Sequence, residues 1–146
     1  MKDISVALIA HDSKKEEMVG LVRSQLGSLA HARLFATRHT GKLIEGRTGL
    51  SVTLLEGGSR GGDLQIGALA ASGALAAVIF LRDPLMAQPH EPDAASLMRV
   101  CDVHNIPFAT NLACAQAVLH FLLQHGDSFD ASGSSIAPSL EICGIR

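Results

Sequence analysis

An α/β domain with a parallel sheet covered on both faces is the fold that the sequence predicts, on three observations. Short apolar runs of strand length alternate with helical patterns five times along the chain, as βαβ units do. The 146 residues suit a single domain with one substantial core. Four of the apolar runs end in polar clusters, and parallel strands place all such ends on one rim, where α/β sheets bind small ligands.

The first strand is predicted over residues 4–10 and runs into His11-Asp12. Ser13-Lys14-Lys15-Glu16 has the form of a capping box and predicts a helix start. Met18, Leu21, Val22 and Leu26 then recur at helical spacing, with Gly27 placed to end the helix. The second strand, residues 32–36, leads into Thr37-Arg38-His39-Thr40-Gly41, where Thr40 is expected to cap a short helix over 41–47 that stops at Gly49. The third strand, residues 51–55, precedes Glu56-Gly57-Gly58-Ser59-Arg60-Gly61-Gly62-Asp63. Gly62 or Asp63 starts the next helix, over 64–72, closed by Gly73. Residues 76–81 are a fourth, wholly apolar strand, followed by Asp83-Pro84-Leu85-Met86-Ala87-Gln88-Pro89-His90-Glu91-Pro92-Asp93. Pro84, Pro89 and Pro92 stiffen that loop, which carries acids and an imidazole suited to proton transfer. Pro92-Asp93 opens a helix to about residue 104, residues 106–110 form a fifth strand, and Asn111 caps a last helix to about His125. The α/β domain therefore occupies residues 1–125. Residues 126–146, punctuated by Ser132-Gly133-Ser134-Ser135 and Pro138, read as a tail, either a mobile end or an arm packed on a neighbouring subunit.

Composition narrows the partners. The chain is 47% hydrophobic and 18% charged, against about 25% charged in an average domain, which suggests a surface partly covered by other subunits. A formal net charge of −2 gives no reason to expect nucleic acid or an anionic membrane as partner. No apolar stretch approaches the roughly 20 residues of a membrane-spanning helix. The N-terminal apolar run lacks a basic flank and a small-residue cleavage site, so it reads as a strand and not a leader. Cys101, Cys114 and Cys143 have no metal-ligand spacing; Cys101 and Cys114 fall in apolar helical patterns and are expected as small core residues. That usage suits the cytoplasm.

The glycine-rich loop at 57–62 is neither a P-loop nor a dinucleotide fingerprint. What it offers is backbone N–H groups facing an anion just before a helix N-terminus. Asp63 follows directly, either as a helix cap or as a carboxylate made more basic by a neighbouring anion. His11-Asp12 and His90-x-x-Asp93 are open to the same two readings, as structural caps or as acid–base groups. Lys15, one turn into its helix, opposes the helix dipole unless it reaches back to an anion at the rim. None of the usual metal-ligand spacings links His11, His90 and the nearby acids, so no metal is expected.

Taken in order, Ala10-His11-Asp12-x-x-Lys15, Phe35-Ala36-Thr37-x-x-Thr40-Gly41, Gly61-Gly62-Asp63-x-Gln65-x-Gly67, Asp83-Pro84-Leu85, Pro89-His90-x-Pro92-Asp93 and Ile106-Pro107-x-Ala109-Thr110-Asn111 resemble methylglyoxal synthase over about residues 4–125. The resemblance implies a single three-layer α/β/α domain with a five-stranded, mainly parallel sheet, assembled as a homohexamer. It implies conversion of dihydroxyacetone phosphate to methylglyoxal and inorganic phosphate without a cofactor. By position, Asp63 is the implied base and His90 the imidazole that polarises the carbonyl; Asp12 and Asp93 support the chemistry, with Asp83 behind them. The implied phosphate site takes His11, Lys15, Thr37, Arg38, His39, Thr40, Gly57 and Gly58.

Two loops depart from the family pattern. Thr37-Arg38-His39-Thr40-Gly41 stands where the family usually shows Thr-Gly-Thr-Thr-Gly, and Gly57-Gly58-Ser59 where it usually shows Ser-Gly-Pro. Neutral hydroxyl donors are lost, and Arg38, His39 and Arg60 are gained. These are expected to make charge-assisted contacts with the substrate phosphate, the alternative being pairing with Glu45 or Glu56 or exposure to solvent. A different reading of the whole chain is a ligand-sensing module resembling the regulatory domain of carbamoyl phosphate synthetase, or a related lyase for another phosphorylated metabolite. The joint presence of Asp63, His90 and Asp93 argues for the enzyme.

Overall fold

Five strands, β1 (Ser5–Ala10), β2 (Arg33–Ala36), β3 (Val52–Leu54), β4 (Ala77–Leu81) and β5 (Phe108–Ala109), form one sheet in the order β3-β2-β1-β4-β5. The computed structural model describes residues 3–86 and 94–125. All four strand pairings are parallel, so the sheet expected to be mainly parallel is wholly so among the described residues. Every residue of β1 and β4 is buried, as central strands covered on both faces must be, and this is why β4, and β1 after Ser5, read as apolar runs.

The helices are α1 (Lys15–Ser24), α2 (Leu26–Leu29), α3 (Arg38–Thr48), α4 (Gly62–Ala71), α5 (Ala94–Val103) and α6 (Leu112–His125). Met18, Leu21 and Val22 of α1, Ile44 of α3 and Ala115, Leu119 and Leu122 of α6 pack against Val6, Leu8, Ala36, Ile79 and Leu81 on one face. Ile66 and Ala70 of α4 and Leu97 and Cys101 of α5 pack against Ala7, Ile9, Phe35, Val78 and Phe80 on the other. The division follows from topology. The chain steps outward from β1 to β3 and then back across to β4 and β5, and right-handed crossovers move the helices to the opposite face when that direction reverses. The reversal leaves a switch point between β1 and β4. None of the described helices is long and apolar enough to cross a membrane.

Several local expectations are corrected. Ser13 does not open a capping box: Asp12–Lys14 form a 3-10 turn, α1 begins at Lys15, and no side chain caps either element. The Ser13 hydroxyl instead donates to Asp83 Oδ2 at 2.6 Å, a contact between the segments after β1 and β4 that outcompetes the local motif. Gly27 does not end the first helix, which stops at Ser24; it lies inside the short α2. The helix after β2 starts at Arg38, three residues before the expected start at Gly41, with Thr37 rather than Thr40 at its N-cap, because Thr40 is drawn into the buried first turn. Gly49, at φ 73°, does close that helix in the left-handed region that glycine adopts without strain. Cys101 is a core residue, but Cys114 is exposed, one position off the Ala115–Leu119–Leu122 stripe that α6 buries. Asn111 caps α6 as expected, its Oδ1 accepting the Cys114 N–H at 2.9 Å. Residues 126–146 and Cys143 lie outside the described residues.

Candidate active site

The strand registers align Ala10 with Leu81 and Ala36 with Leu54, so the segments after β1, β2, β3 and β4 leave the sheet along one edge. Thus His11, Asp12, Lys15, the 37–40 turn, the 57–62 loop, Asp63 and Asp83 share one rim, as the sequence predicts. His90 and Asp93 lie outside the described residues.

At the switch point His11 is buried, with its ring edge-on to Phe80 at a centroid distance of 5.2 Å. Its ring Nδ1 accepts the Asp83 backbone N–H at 2.8 Å, and the His11 backbone N–H donates to the Leu81 carbonyl at 3.1 Å. A ring nitrogen that accepts an amide proton carries none, so the neutral imidazole bears its proton on Nε2. The loops after β1 and β4 are thereby tied together by one ring. Asp83 is tied a second time, by the Ser13 hydroxyl and then by the Leu85 N–H at 3.1 Å. Those two donors hold its carboxyl below the usual aspartate range against a small opposing effect of burial.

Asp12 accepts a hydrogen bond from the Lys15 ammonium. The ammonium holds the Asp12 carboxyl below its ordinary range through that bond and through its charge; burial opposes this weakly, and His39 adds to it. Asp12 is therefore an anion at neutral pH and suited to orienting a neighbour, not to donating a proton. Lys15 does reach back to the rim, and the pairing explains a cation in the first turn of α1.

Two longer helices point their N-termini at this edge. Thr37 and Gly61 are the N-caps of α3 and α4, and neither terminus has a side-chain cap. Helix ends of this kind present backbone N–H groups and partial positive charge to an anion. Thr37 and Thr40 are buried, and their hydroxyls lie 3.5 Å apart. Gly57 and Gly58 lead into the 3-10 turn Gly58–Arg60, where the Gly57 carbonyl accepts the N–H groups of Arg60 and Gly62. Gly62 has no room for a side chain: a Cβ there would lie 2.2 Å from the Glu56 carbonyl oxygen and 3.0 Å from Thr37 Cγ2. That close approach packs the start of α4 against the loops after β2 and β3 and puts Asp63, half-buried, beside them.

The new cations do not all behave as expected. Arg38 lies with Nη2 3.7 Å from Glu56 Oε1, each side chain a little under half exposed, so the pairing alternative describes it. Glu45 is engaged elsewhere, accepting the Val52 N–H at 3.0 Å. His39 and Arg60 are exposed, with His39 close enough to influence Asp12. Sequence reasoning missed Ser13 as a partner of Asp83, a contact between residues 70 positions apart that no local pattern signals. It also missed Gln65, whose Oε1 accepts the Glu56 N–H at 2.8 Å and pins the glycine loop to α4; its place in the Gly-Gly-Asp-x-Gln motif was the available signal.

An open parallel sheet that gathers carboxylates, an imidazole and two uncapped helix ends at its carboxyl edge defines an α/β protein built to handle a small metabolite. Kinship narrows the class. The model of the MGS-like domain matches residues 17–110. A methylglyoxal synthase of Carboxydothermus hydrogenoformans is 52% identical over 119 residues, covering 82% of this chain and 98% of that protein. One from Moorella thermoacetica is 54% identical over 120 residues, covering 82% and 94%. The crystal structure of methylglyoxal synthase from Elizabethkingia anophelis superposes with a TM-score of 0.75 at 40% identity, covering 83% of this chain and 77% of that one. The chain belongs to the methylglyoxal synthase family.

Proposed function

We propose that the chain is a carbon–oxygen lyase that converts dihydroxyacetone phosphate to methylglyoxal and inorganic phosphate. The observation that carries this reading is the 52–54% identity, over most of the chain, to proteins that bear the name methylglyoxal synthase. Asp63 takes a proton from the hydroxymethyl carbon next to the substrate carbonyl. The electron pair moves onto the carbonyl oxygen, and His90 with backbone donors stabilises the enediolate. Collapse of the enediolate breaks the bond between carbon and the bridging oxygen, and phosphate leaves with that electron pair. The remaining enol is protonated on carbon to give methylglyoxal. The atoms balance without water, redox partner or metal. Asp12 and Asp93 orient the groups that move protons, and Asp83 holds His11 in place. The phosphate sits among His11, Lys15, residues 37–40 and Gly57–Gly58, and the N-termini of α3 and α4 supply donors that need no reorganisation. Residues 1–125 form the catalytic domain and 126–146 a tail; the protein acts in the cytoplasm as a homohexamer.

Replacing Asp63 by Asn keeps the shape and removes the basicity. Turnover of dihydroxyacetone phosphate is expected to fall about 10²–10⁴-fold, while a non-reacting phosphate-bearing analogue binds within a few-fold of the native affinity. Near-native turnover of that variant would remove Asp63 from the role.

A further inference from the structure

Glu56 has no part in the reaction as written, yet it stands at the proposed phosphate site. It follows β3 by two residues, and Arg38 is the first residue of α3, so the loops of two neighbouring strands bring the pair together beside Gly62 and Asp63. We infer that Glu56 is an anionic gate on this site: its carboxylate holds Arg38 until the phosphate of an incoming ligand takes the guanidinium over. The inference rests on reading this rim as the phosphate site and adds the residue that controls access to its new cation.

Three features support exchange. The backbone of Glu56 is fixed, by the Gln65 amide oxygen at its N–H and by Gly62 packed against its carbonyl, so the carboxylate has a set origin. The guanidinium, by contrast, ends a long side chain that is 44% exposed and is able to swing. At 3.7 Å between Nη2 and Oε1 the pair is an ion contact beyond hydrogen-bond range. Exposed pairs of this kind favour the closed arrangement by no more than about fivefold. A phosphate dianion offers parallel acceptors that match the guanidinium fork, which a single carboxylate oxygen at this distance does not. A dianion therefore displaces Glu56, whereas a singly charged carboxylate has little advantage over it. Glu56 thus makes the cation available to phosphate and withholds it from lesser anions.

The test is calorimetric binding of inorganic phosphate to the wild type, Glu56→Gln, Arg38→Ala and the double variant, with kcat and KM measured alongside. Both side chains are substantially exposed, so the substitutions leave the core intact. Glu56→Gln should bind phosphate about threefold more tightly and lower KM with little change in kcat. Arg38→Ala should weaken binding about tenfold. In the Arg38→Ala background Glu56→Gln should change affinity by less than about twofold, because the only route to its effect is gone. Equal tightening in both backgrounds would mean that Glu56 merely repels phosphate, and the gate would be wrong. No tightening in Glu56→Gln, or no phosphate binding at all, would overturn it as well. The binding arm separates the two readings: phosphate bound with the non-additive pattern, but no turnover of dihydroxyacetone phosphate, sustains the gate and removes the proposed reaction.

Discussion

Asp83 receives hydrogen bonds from two donors in different parts of the chain, Ser13 Oγ at 2.6 Å and the Leu85 N–H at 3.1 Å, while its own N–H holds His11. Because its folded carboxyl titrates below the usual range, the stabilisation from its charged form is complete above that range and is lost as pH falls through the folded value. Ser13→Ala removes the larger cause, so the Asp83 titration followed by carboxyl-carbon NMR should move up towards an ordinary aspartate, with acid unfolding beginning at higher pH. An unchanged titration would show that Ser13 does not control this carboxylate. At this scale the residue types of the rim were legible in the sequence, because His11-Asp12, the glycine loop and Asp63 each follow a strand end. Their partners were not. Ser13 with Asp83 joins loops 70 positions apart and replaces the capping box that the local pattern suggested, and the pairing of Arg38 with Glu56 was one of the alternatives to phosphate contact that the sequence left open.

Elements were legible wherever burial imposes a period. β1 and β4 are buried throughout and read as apolar runs, and the apolar positions of α1 recur at helical spacing. Element ends were less so, since ends are decided by tertiary contacts. β5 spans only Phe108 and Ala109, although the strand was expected over residues 106–110. Glycines make the contrast measurable. Gly62→Ala would push a methyl into the Glu56 carbonyl, a backbone atom unable to yield cheaply, and should cost at least about 1–3 kcal/mol in urea unfolding. Gly27→Ala meets nothing within 4 Å inside α2 and should be neutral or stabilise by up to about 1 kcal/mol. Equal effects of the two substitutions would contradict the close approach at the start of α4.

Across the whole molecule, alternation of strands and helices disclosed a parallel sheet, but strand order required the structure, because period and composition do not say which strand lies beside which. The order 3-2-1-4-5 is what places the switch point, and with it His11 and Asp83, at the centre of the rim. The exterior also carries apolar groups that a lone domain would seldom leave in water. Leu64, Leu85, Met86 and Val103 are each at least 60% exposed. Beyond Asp63, α4 has no charged residue, and Leu64, Ala68 and Ala71 lie along its exposed face. Light scattering at micromolar concentration should therefore give a mass several times 15.3 kDa, about sixfold for a hexamer. A monomer would contradict assembly through these surfaces.

The reaction itself admits the most direct test. Purified protein supplied with dihydroxyacetone phosphate should release methylglyoxal and inorganic phosphate in equal amounts, at a rate proportional to protein and in the presence of a metal chelator. Return of glyceraldehyde 3-phosphate, or no consumption of substrate at all, would contradict the assignment: the first would leave proton transfer at this rim without elimination, and the second would leave a phosphate site without the chemistry.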